Sequence, residues 1–469
     1  MIPVNEPLIG EKEIEYVNEC LRTGWISSAG RFIEGFEQKW AQYCGMKYGI
    51  AMSNGTAALQ AAVGCIGLQP GDKVIMPTFT IISCAQAILY NGGVPVLVDS
   101  DPRTWCMDVE QVRERVEAEM KRGDGKLKAI MPVHIYGHPV DMDPILELAE
   151  KYSLKIIEDA AEVHGAEYLT GRNTATPQWK RCGGLGHISV FSFYANKLIT
   201  TGEGGMVLTN DPSYAEKARS LRNLCFLPNR RFYHTELGHN FRLTNLQAAI
   251  GLGQLERMEE IISRKRWMGQ AYTERLQGIP GLQLPVEESW AKQVYWMYGI
   301  VLDEGSGLDA VQFAQKLKEK GVETRPFFLG MHEQPVFQTP TLPAPCGRDT
   351  APTLPTPGGR DTTPALPTPC GRYTTPTLPT PGGRDAPPAL PSPGRRDATP
   401  ALPSPGGRDA TPALPSPGGR DTGRGMFTGE KYPIAERIAR QGLYLPSGLT
   451  LTETQIDLVC DMVKTILEN

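Results

Sequence analysis

The first residues to consider are a lysine and the stretch that leads to it. Residues 189–197 read Ser-Val-Phe-Ser-Phe-Tyr-Ala-Asn-Lys, and a glycine-rich turn follows at 200–205. The alternation of β-branched and aromatic residues predicts a buried strand that ends at Lys197. Burial lowers the pKa of a lysine and frees its amine as a nucleophile for Schiff-base chemistry. The alternative is a surface lysine in a loop, and the rest of the chain decides between the two.

Two further positions carry residues suited to binding charged groups. After a short apolar run, Gly55, Thr56 and Ala57 open an alanine-rich helical pattern. Small residues at a helix start leave N–H groups open, and the helix dipole favours a phosphate there; ordinary capping is the alternative. Asp159 ends another apolar run. A carboxylate there needs a cation or a protonated ring nitrogen, or else it caps the next helix.

The elements that must position these residues alternate along the chain. Strand patterns at 48–52, 73–77, 95–99, 129–134 and 155–159 are separated by helical patterns. This order predicts an α/β fold with a parallel, doubly wound sheet. Sites in such sheets lie beyond the carboxyl ends of the strands, and all three candidate positions follow such ends.

The second half of the chain predicts a smaller domain. A helix is predicted over 245–264, and Thr452 with Gln455 three residues later predicts a capped helix start. We divide the chain into 1–250, an N-terminal segment with the large domain, and 251–469, a small C-terminal α/β domain. The large domain holds all three candidate positions.

Residues 339–425 have a different composition from the rest. A unit like Thr-Pro-Ala-Leu-Pro-Ser-Pro-Gly-Gly-Arg-Asp-Ala recurs every 12 residues. One leucine per repeat does not offset the entropy cost of ordering the chain, so we predict disorder. A solenoid is the competing interpretation, but the repeat offers too little apolar surface. Globular patterning resumes afterwards, so the repeat interrupts the C-terminal domain, either recruiting a partner or as a neutral expansion.

Composition excludes several classes of function. The chain has 469 residues and a net charge of −4, which predicts neither a nucleic-acid partner nor binding to an anionic membrane. No apolar run reaches the length of a membrane span, and the start of the sequence has no basic region followed by an apolar core. Ten cysteines without a Cys-x-x-Cys pair predict no metal site, no disulfide framework and a cytoplasmic location.

Five motifs together carry a resemblance. They are Ser-Asn-Gly-Thr-Ala-Ala-Leu at 53–59, Ile-Glu-Asp-Ala-Ala-Glu at 157–162, Ser-Phe-Tyr-Ala-Asn-Lys at 192–197, Thr-Gly-Glu-Gly-Gly at 201–205 and Arg-Leu-Thr-Asn-Leu-Gln-Ala-Ala at 242–249. The combination resembles the DegT/DnrJ/EryC1/StrS sugar aminotransferase family of fold-type-I enzymes, which depend on pyridoxal 5′-phosphate. Three shorter stretches, at 25–28, 131–139 and 228–231, are most similar to the subgroup of GDP-perosamine synthases.

The resemblance implies a role for each matching residue. Lys197 would bond covalently to the cofactor and move a proton, and Asp159 would keep the pyridine nitrogen protonated. The remaining contacts to the cofactor would come from Gly55, Thr56, Ala57, Glu162, Ser192 and Asn240. The family reaches the phosphate with the residue at Asn240 from a second copy of the chain, so a homodimer with shared active sites is expected.

The same resemblance implies the substrates. The enzyme would transfer an amino group from glutamate, leaving 2-oxoglutarate, to a nucleotide-linked 4-keto-6-deoxy sugar, for polysaccharides such as O-antigen. Candidate substrate residues are Trp25, Arg231, Arg325 and His332. The alternatives are a dTDP- or UDP-sugar aminotransferase, a sugar 3-dehydratase, whose relatives carry histidine at the lysine position, and a non-catalytic scaffold acting through its repeats.

Three positions depart from the family pattern. Ile81 lies where many relatives have an aromatic residue that stacks on the cofactor, and Phe79 is a candidate substitute. His187 lies where the family often has aspartate. The loop at 170–182 is longer than usual, and we expect it to affect access to the site.

Overall fold

A seven-stranded sheet forms the centre of the fold. The structure is a computed structural model, and it describes residues 1–227, 229–338 and 425–468. The strands are β1 (Tyr48–Met52), β2 (Lys73–Pro77), β3 (Val94–Val98), β4 (Leu127–Ile130), β5 (Lys155–Asp159), β6 (Glu167–Thr170), β7 (Gln178–Arg181), β8 (Ile188–Ser192), β9 (Gly205–Thr209), β10 (Leu282–Gln283), β11 (Ala291–Lys292), β12 (Tyr298–Leu302), β13 (Arg325–Pro326) and β14 (Gly442–Leu445).

Helices connect and cover these strands. They are α1 (Glu11–Thr23), α2 (Arg31–Tyr43), α3 (Gly55–Cys65), α4 (Ser83–Tyr90), α5 (Val109–Arg122), α6 (Met142–Tyr152), α7 (Pro212–Arg222), α8 (Asn245–Leu255), α9 (Met258–Leu276), α10 (Ala310–Glu319), α11 (Pro335–Gln338), α12 (Pro433–Gln441) and α13 (Glu453–Leu467). Side-chain caps fix several starts, because an oxygen accepts from an otherwise unpaired N–H group. Thr452 and Gln455 form the predicted capping box at α13.

The central sheet has the strand order β1-β9-β8-β5-β4-β2-β3. The pairs from β3 through β2, β4 and β5 to β8 are parallel, whereas β9 runs antiparallel to both β8 and β1. Strands such as β2 and β9 are buried along their whole length, as expected where helices cover both faces. The prediction of an α/β fold with a mostly parallel sheet is confirmed.

One buried carboxylate ties β5 to the loop that enters β8. Glu158 accepts hydrogen bonds from the N–H groups of Gly183, Leu185 and Gly186 and from the Ser189 hydroxyl. His134 Nε2 lies 3.1 Å from its Oε1. Burial alone would raise the pKa of Glu158, but the hydrogen bonds from His134 and the backbone lower it.

That carboxylate also belongs to the one group of possible metal ligands among the described residues. Atoms of His134, Glu158 and Cys182 lie within 4.8 Å of one another. His134 Nδ1 accepts from the N–H of Val140 at 2.9 Å, so Nε2 carries the proton and donates to Glu158. Since both oxygens of Glu158 already accept from donors of the protein, the cluster is built as a hydrogen-bond network.

A second core lies in the C-terminal region. The strands β10, β12, β14 and β13 form a four-stranded sheet in that order, and α9, α10 and α13 contribute buried apolar residues to its core. The division of the chain at residues 250 and 251 stays a prediction. The predicted disorder of the repeat falls on residues outside the described ranges, except for Gly425. No helix among the described residues is long and apolar enough to cross a bilayer.

Three predicted elements differ from the structure. The strand before Lys197 ends at Ser192, because the Phe193 N–H turns to the Gly204 carbonyl. The helix predicted over 245–264 is two helices, and the break lets α8 pack on α1 and α2 while α9 packs on α13. The loop at 170–182 is a hairpin of β6 and β7 that pairs with β11.

The hairpin is fixed to the start of α6. Thr170 donates to Asp143 Oδ1 at 2.8 Å, and the N–H of Arg172 donates to Asp143 Oδ2 at 3.1 Å. The Arg172 guanidinium also pairs with Asp141. These bonds hold the turn end of the hairpin to the start of α6 through both oxygens of the Asp143 carboxylate.

Candidate active site

Lys197 lies in a tight loop beyond β8, facing two acidic residues. Its own N–H donates to the carbonyl of Tyr194 at 2.9 Å, and the Thr201 N–H closes the loop onto Phe193. The Lys197 Nζ lies 3.6 Å from Glu162 Oε1. Although the strand ends five residues earlier than predicted, loop closure carries the Lys197 side chain back into the protein, where it is only 11% exposed.

Burial controls the charges of this pair. It lowers the pKa of Lys197, although the Glu162 and Asp159 carboxylates act in the opposite direction. It raises the pKa of Glu162 to about 7, against the attraction of Lys197. Glu162 Oε2 also accepts from the N–H of Tyr136 at 2.9 Å. Both shifts favour uncharged forms near neutral pH, which is the state in which an amine is a nucleophile.

Asp159 ends β5 and is buried. Its Oδ1 accepts from the N–H of Ala161 at 3.0 Å, and its Oδ2 lies 3.2 Å from the Cys84 thiol, which donates to it. Burial raises the pKa of Asp159. Neither hydrogen-bond donor is a cation, so the carboxylate retains the capacity to pair with a protonated ring nitrogen.

The N-terminus of α3 approaches β8 closely. A Cβ added at Gly55 would lie 2.8 Å from the Ser192 Cβ, so only glycine permits this contact. Asn54 caps the helix by accepting from the Ala57 N–H at 2.8 Å, and the Thr56 hydroxyl lies 2.8 Å from that of Ser83. The capping alternative is therefore correct for Asn54, and it coexists with hydroxyl groups and open helix N–H groups beside Ser192.

Sequence reasoning missed Trp296. The Lys197 Nζ lies 3.6 Å from the centre of the Trp296 ring, and the indole Nε1 donates to the Asn196 carbonyl at 2.7 Å. The carbonyl of Trp296 in turn accepts from the buried Lys265 Nζ at 2.9 Å. Since Trp296 is 99 residues from Lys197 in the chain, no local pattern connects the two.

The predicted substrate residues and Asn240 are not part of the bonded group around Lys197. Asn240, Trp25, Arg231 and Arg325 are exposed, and among the described residues none of them forms a hydrogen bond or ion pair with Lys197, Glu162 or Asp159. Arg325 pairs with Glu323 at 2.7 Å. His332 is buried, with Nδ1 2.8 Å from the Thr78 hydroxyl and Nε2 3.2 Å from Glu436. Their roles stay predictions.

The structure shows the surroundings of the departures at Ile81 and His187 and of the candidate substitute Phe79. Phe79 is fully buried and packs on Tyr136, with ring centres 6.1 Å apart, whereas Ile81 is 45% exposed. Phe79 thus belongs to the core. His187 Nδ1 accepts from the N–H of Ile156 at 3.0 Å and joins the entry of β8 to β5.

Known proteins resemble this chain along most of its length. Residues 7–348 match the DegT/DnrJ/EryC1/StrS aminotransferase family. A GDP-perosamine synthase of Caulobacter vibrioides is 44% identical over 338 residues, which cover 72% of this chain and 86% of that protein. One from Escherichia coli O157:H7 is 40% identical over 336 residues, covering 72% and 87%. The solved structure of the aminotransferase TlmJ from Streptoalloteichus hindustanus has a TM-score of 0.73 at 24% identity, covering 100% of this chain and 99% of that one.

Fold and site together define a fold-type-I enzyme that depends on pyridoxal 5′-phosphate. The chain belongs to the DegT/DnrJ/EryC1/StrS aminotransferase family, so the predictions of fold class, enzyme class and cofactor are confirmed. The residues present fit that cofactor. Gly55 lets the N-terminus of α3 approach Ser192 closely, Asp159 has no cationic hydrogen-bond donor, and Lys197 is a largely buried amine with a lowered pKa.

The raised pKa of Glu162 predicts how stability of the cofactor-free protein changes with pH. In the unfolded chain this carboxyl ionises near 4.5, and in the folded protein near 7. Stability from this group is present below 4.5 and is lost as pH rises through 7, by about 2–4 kcal/mol. Glu162→Gln removes this loss, so the variant should gain stability relative to wild type between pH 5 and pH 8.

Chemical denaturation at both pH values measures that gain. Glu117→Gln is the control, because Glu117 is exposed on α5, and its difference from wild type should not change with pH. An equal pH slope in wild type and Glu162→Gln would contradict the assignment.

Trp296 should hold Lys197 in position. Trp296→Phe keeps a ring beneath the amine but loses the indole N–H bond to the Asn196 carbonyl, and Trp296→Leu loses both the ring and the bond. The ring contact and the hydrogen bond are each worth about 1 kcal/mol. We therefore expect kcat to fall about fivefold in Trp296→Phe, which loses the bond, and about thirtyfold in Trp296→Leu, which loses both, with KM nearly constant.

Steady-state kinetics with a matched variant separate this role from general damage. Trp290→Leu removes an aromatic ring that packs on His138 and Tyr168 instead. It should leave kcat within twofold of wild type. Equal losses in the leucine and phenylalanine variants of Trp296 would refute a role for the ring.

Proposed function

We propose that this enzyme transfers an amino group from glutamate to the keto carbon of a GDP-linked 4-keto-6-deoxy sugar, as a GDP-perosamine synthase does. The observation that supports this proposal is sequence identity: two GDP-perosamine synthases are 44% and 40% identical to this chain over 72% of its length. The products are 2-oxoglutarate and a GDP-linked amino sugar, which serves polysaccharides such as O-antigen. A cytoplasmic location is part of the proposal, supported by unpaired cysteines throughout the described residues.

Each buried residue has a distinct task in that reaction. Pyridoxal phosphate, when bound, supplies the carbonyl that bonds to amines and an electron sink. Lys197 would provide the amine that holds the cofactor and would move a proton during the reaction, a role that its lowered pKa favours. Asp159 keeps the ring nitrogen protonated. Glu162 holds the Lys197 side chain at 3.6 Å, and Gly55 and Ser192 accept the phosphate.

The alternatives fit the site less well. A dehydratase of the same scaffold resembles this chain but carries histidine where Lys197 stands, and a non-catalytic scaffold has no need of a buried lysine beside two carboxylates. A dTDP- or UDP-sugar aminotransferase needs the same buried residues. It would differ in the exposed residues that contact the nucleotide. An assay with each nucleotide sugar is therefore needed to distinguish it.

A homodimer with shared active sites completes the proposal. Large apolar side chains are exposed near the glycine-rich turn and in the loop before Asn240: Tyr194 by 49%, Phe232 by 82% and Leu237 by 93%. Trp25, in the loop between α1 and α2, is 59% exposed. Large exposed apolar side chains favour association. We place Asn240 of one copy at the phosphate of the other, and Trp25, Arg231, Arg325 and His332 near the substrate.

A product-mass assay tests the substrate. Purified enzyme with pyridoxal phosphate and glutamate is given GDP-4-keto-6-deoxymannose or, separately, dTDP-4-keto-6-deoxyglucose. We expect an amino sugar from the GDP substrate, and none with Lys197→Ala, which lacks the reactive amine but retains its fold. Product from the dTDP substrate alone would discard the GDP assignment. Turnover by Lys197→Ala would contradict the role of the lysine.

Complementation tests the shared site. Asn240→Asp should be inactive, because a carboxylate repels the phosphate, and Lys197→Ala should be inactive as well. When the two are co-expressed, mixed dimers contain one site with both wild-type residues. With random pairing, activity should return to about a quarter of wild type. No recovery in isolated mixed dimers would mean that both residues serve the same copy's site.

A further inference from the structure

A basic cavity lies beside the segment that carries Asn240. Its volume is about 520 Å³, and four arginines line it, Arg219, Arg222, Arg231 and Arg242, together with Ser28 and Asn223. We call it the arginine pocket. Its size is within the range of sites that bind small molecules.

The positive charge of the arginine pocket is largely uncompensated. Only Arg222 has a carboxylate partner, Glu37. Arg242 donates to the Asn223 amide oxygen at 2.7 Å, and the guanidinium groups of Arg219 and Arg231 lie 5.7 and 5.5 Å from the rings of Tyr48 and Phe226. Among the described residues, none of these three has a carboxylate within 4 Å. Three such cations in one concave site attract an anion with several charges.

Two adjacent residues at the arginine pocket have a strained backbone conformation. Leu224 and Cys225 have φ values of 59° and 50°, a left-handed conformation that is unfavourable for residues other than glycine. A Cβ at Gly238 would lie 2.4 Å from the Cys225 nitrogen, so glycine allows the neighbouring segment to approach. The surrounding contacts keep a conformation that these residues do not favour, as is typical of functional sites.

A short ladder fixes the arginines relative to each other. The Phe241 N–H donates to the Arg222 carbonyl at 3.0 Å, and the Leu224 N–H to the His239 carbonyl at 3.0 Å. Arg222 and Arg242 therefore lie on adjacent paired segments. Their geometry is set before any ligand arrives, which lowers the entropy cost of binding.

The arginine pocket is also attached to the strand that leads into the phosphate-binding helix. The Ser53 N–H donates to the Phe241 carbonyl at 2.7 Å, and Arg222 Nη1 donates to the Ala51 carbonyl at 2.9 Å. One short segment, the end of β1, thus carries contacts to the pocket and continues into Gly55. A ligand in the pocket is held on the same rigid unit as that helix start.

We propose that the arginine pocket binds the diphosphate of the nucleotide-sugar substrate. This inference rests on the proposed function and names the site that recognises the charged part of the substrate. Guanidinium groups bind phosphate oxygens with two parallel N–H donors, and a diphosphate presents enough charge for the three unpaired arginines. The arginine pocket is not assigned to binding the amino donor glutamate.

The test separates the two half-reactions. The double variant Arg219→Gln, Arg231→Gln removes two guanidinium groups that make no hydrogen bond with any other residue that the structure describes. We expect KM for the GDP sugar to rise about 100-fold, while release of 2-oxoglutarate from glutamate by the cofactor-loaded enzyme stays within twofold. Arg113→Gln, an exposed change on α5, should alter neither.

Calorimetry with GDP gives a second measurement that needs no turnover. GDP should bind the wild-type holoenzyme and bind the double variant at least tenfold more weakly, and inorganic diphosphate should compete. An unchanged KM and unchanged GDP affinity in the double variant would overturn the proposal. A slowed glutamate half-reaction with normal GDP binding would assign the arginine pocket to the donor instead.

Failure of the proposed function gives a different result. In that case wild type would not aminate the GDP sugar in the product-mass assay, whatever the variants do. GDP binding by the wild type that is lost in the double variant would still support a diphosphate site, and equal binding by both would still refute it.

Discussion

The buried carboxylate of Glu158 is the constraint on which the site depends. An unpaired charge in that place would cost several kcal/mol, so the chain from Gly183 to Ser189 must present its donors to it. This requirement sets β8 in register against β5. Asp159, the next residue on β5, is thereby placed one strand from Ser192, and the loop beyond Ser192 returns Lys197 towards Glu162.

The buried carboxylates of this segment are accommodated in two opposite ways. Glu158 is stabilised as an anion by a full set of donors, and its pKa is lowered. Asp159 and Glu162 have few donors, and their pKa values are raised. The structure therefore favours the charged form of Glu158 and the neutral forms of Asp159 and Glu162. Acid–base chemistry requires groups of the second kind, and folding stability requires the first.

The sequence predicted what local patterns determine. Gly55, Asp159 and Lys197 were found because each follows an apolar run, and parallel strands bring such ends to one edge. Trp296 and Cys84 were missed because their importance arises only from contacts with distant residues. The helix break before Met258 was missed for a related reason, since it depends on which neighbours α8 and α9 pack against, and the pattern of apolar residues continues across it.

The residues to which the proposal assigns roles fall into two sets with different physical requirements. Lys197, Asp159 and Glu162 are positioned by the core, so a change near them also changes folding. Asn240 and Arg231 lie on exposed segments whose shape is fixed by a short ladder and two left-handed residues. Recognition of the nucleotide can therefore be altered on the surface without disturbing the hydrogen bonds of Glu158. With the proposed roles, the residues that react and the residues that recognise the nucleotide are separate. The same reaction at a buried lysine can then be combined with different nucleotide sugars.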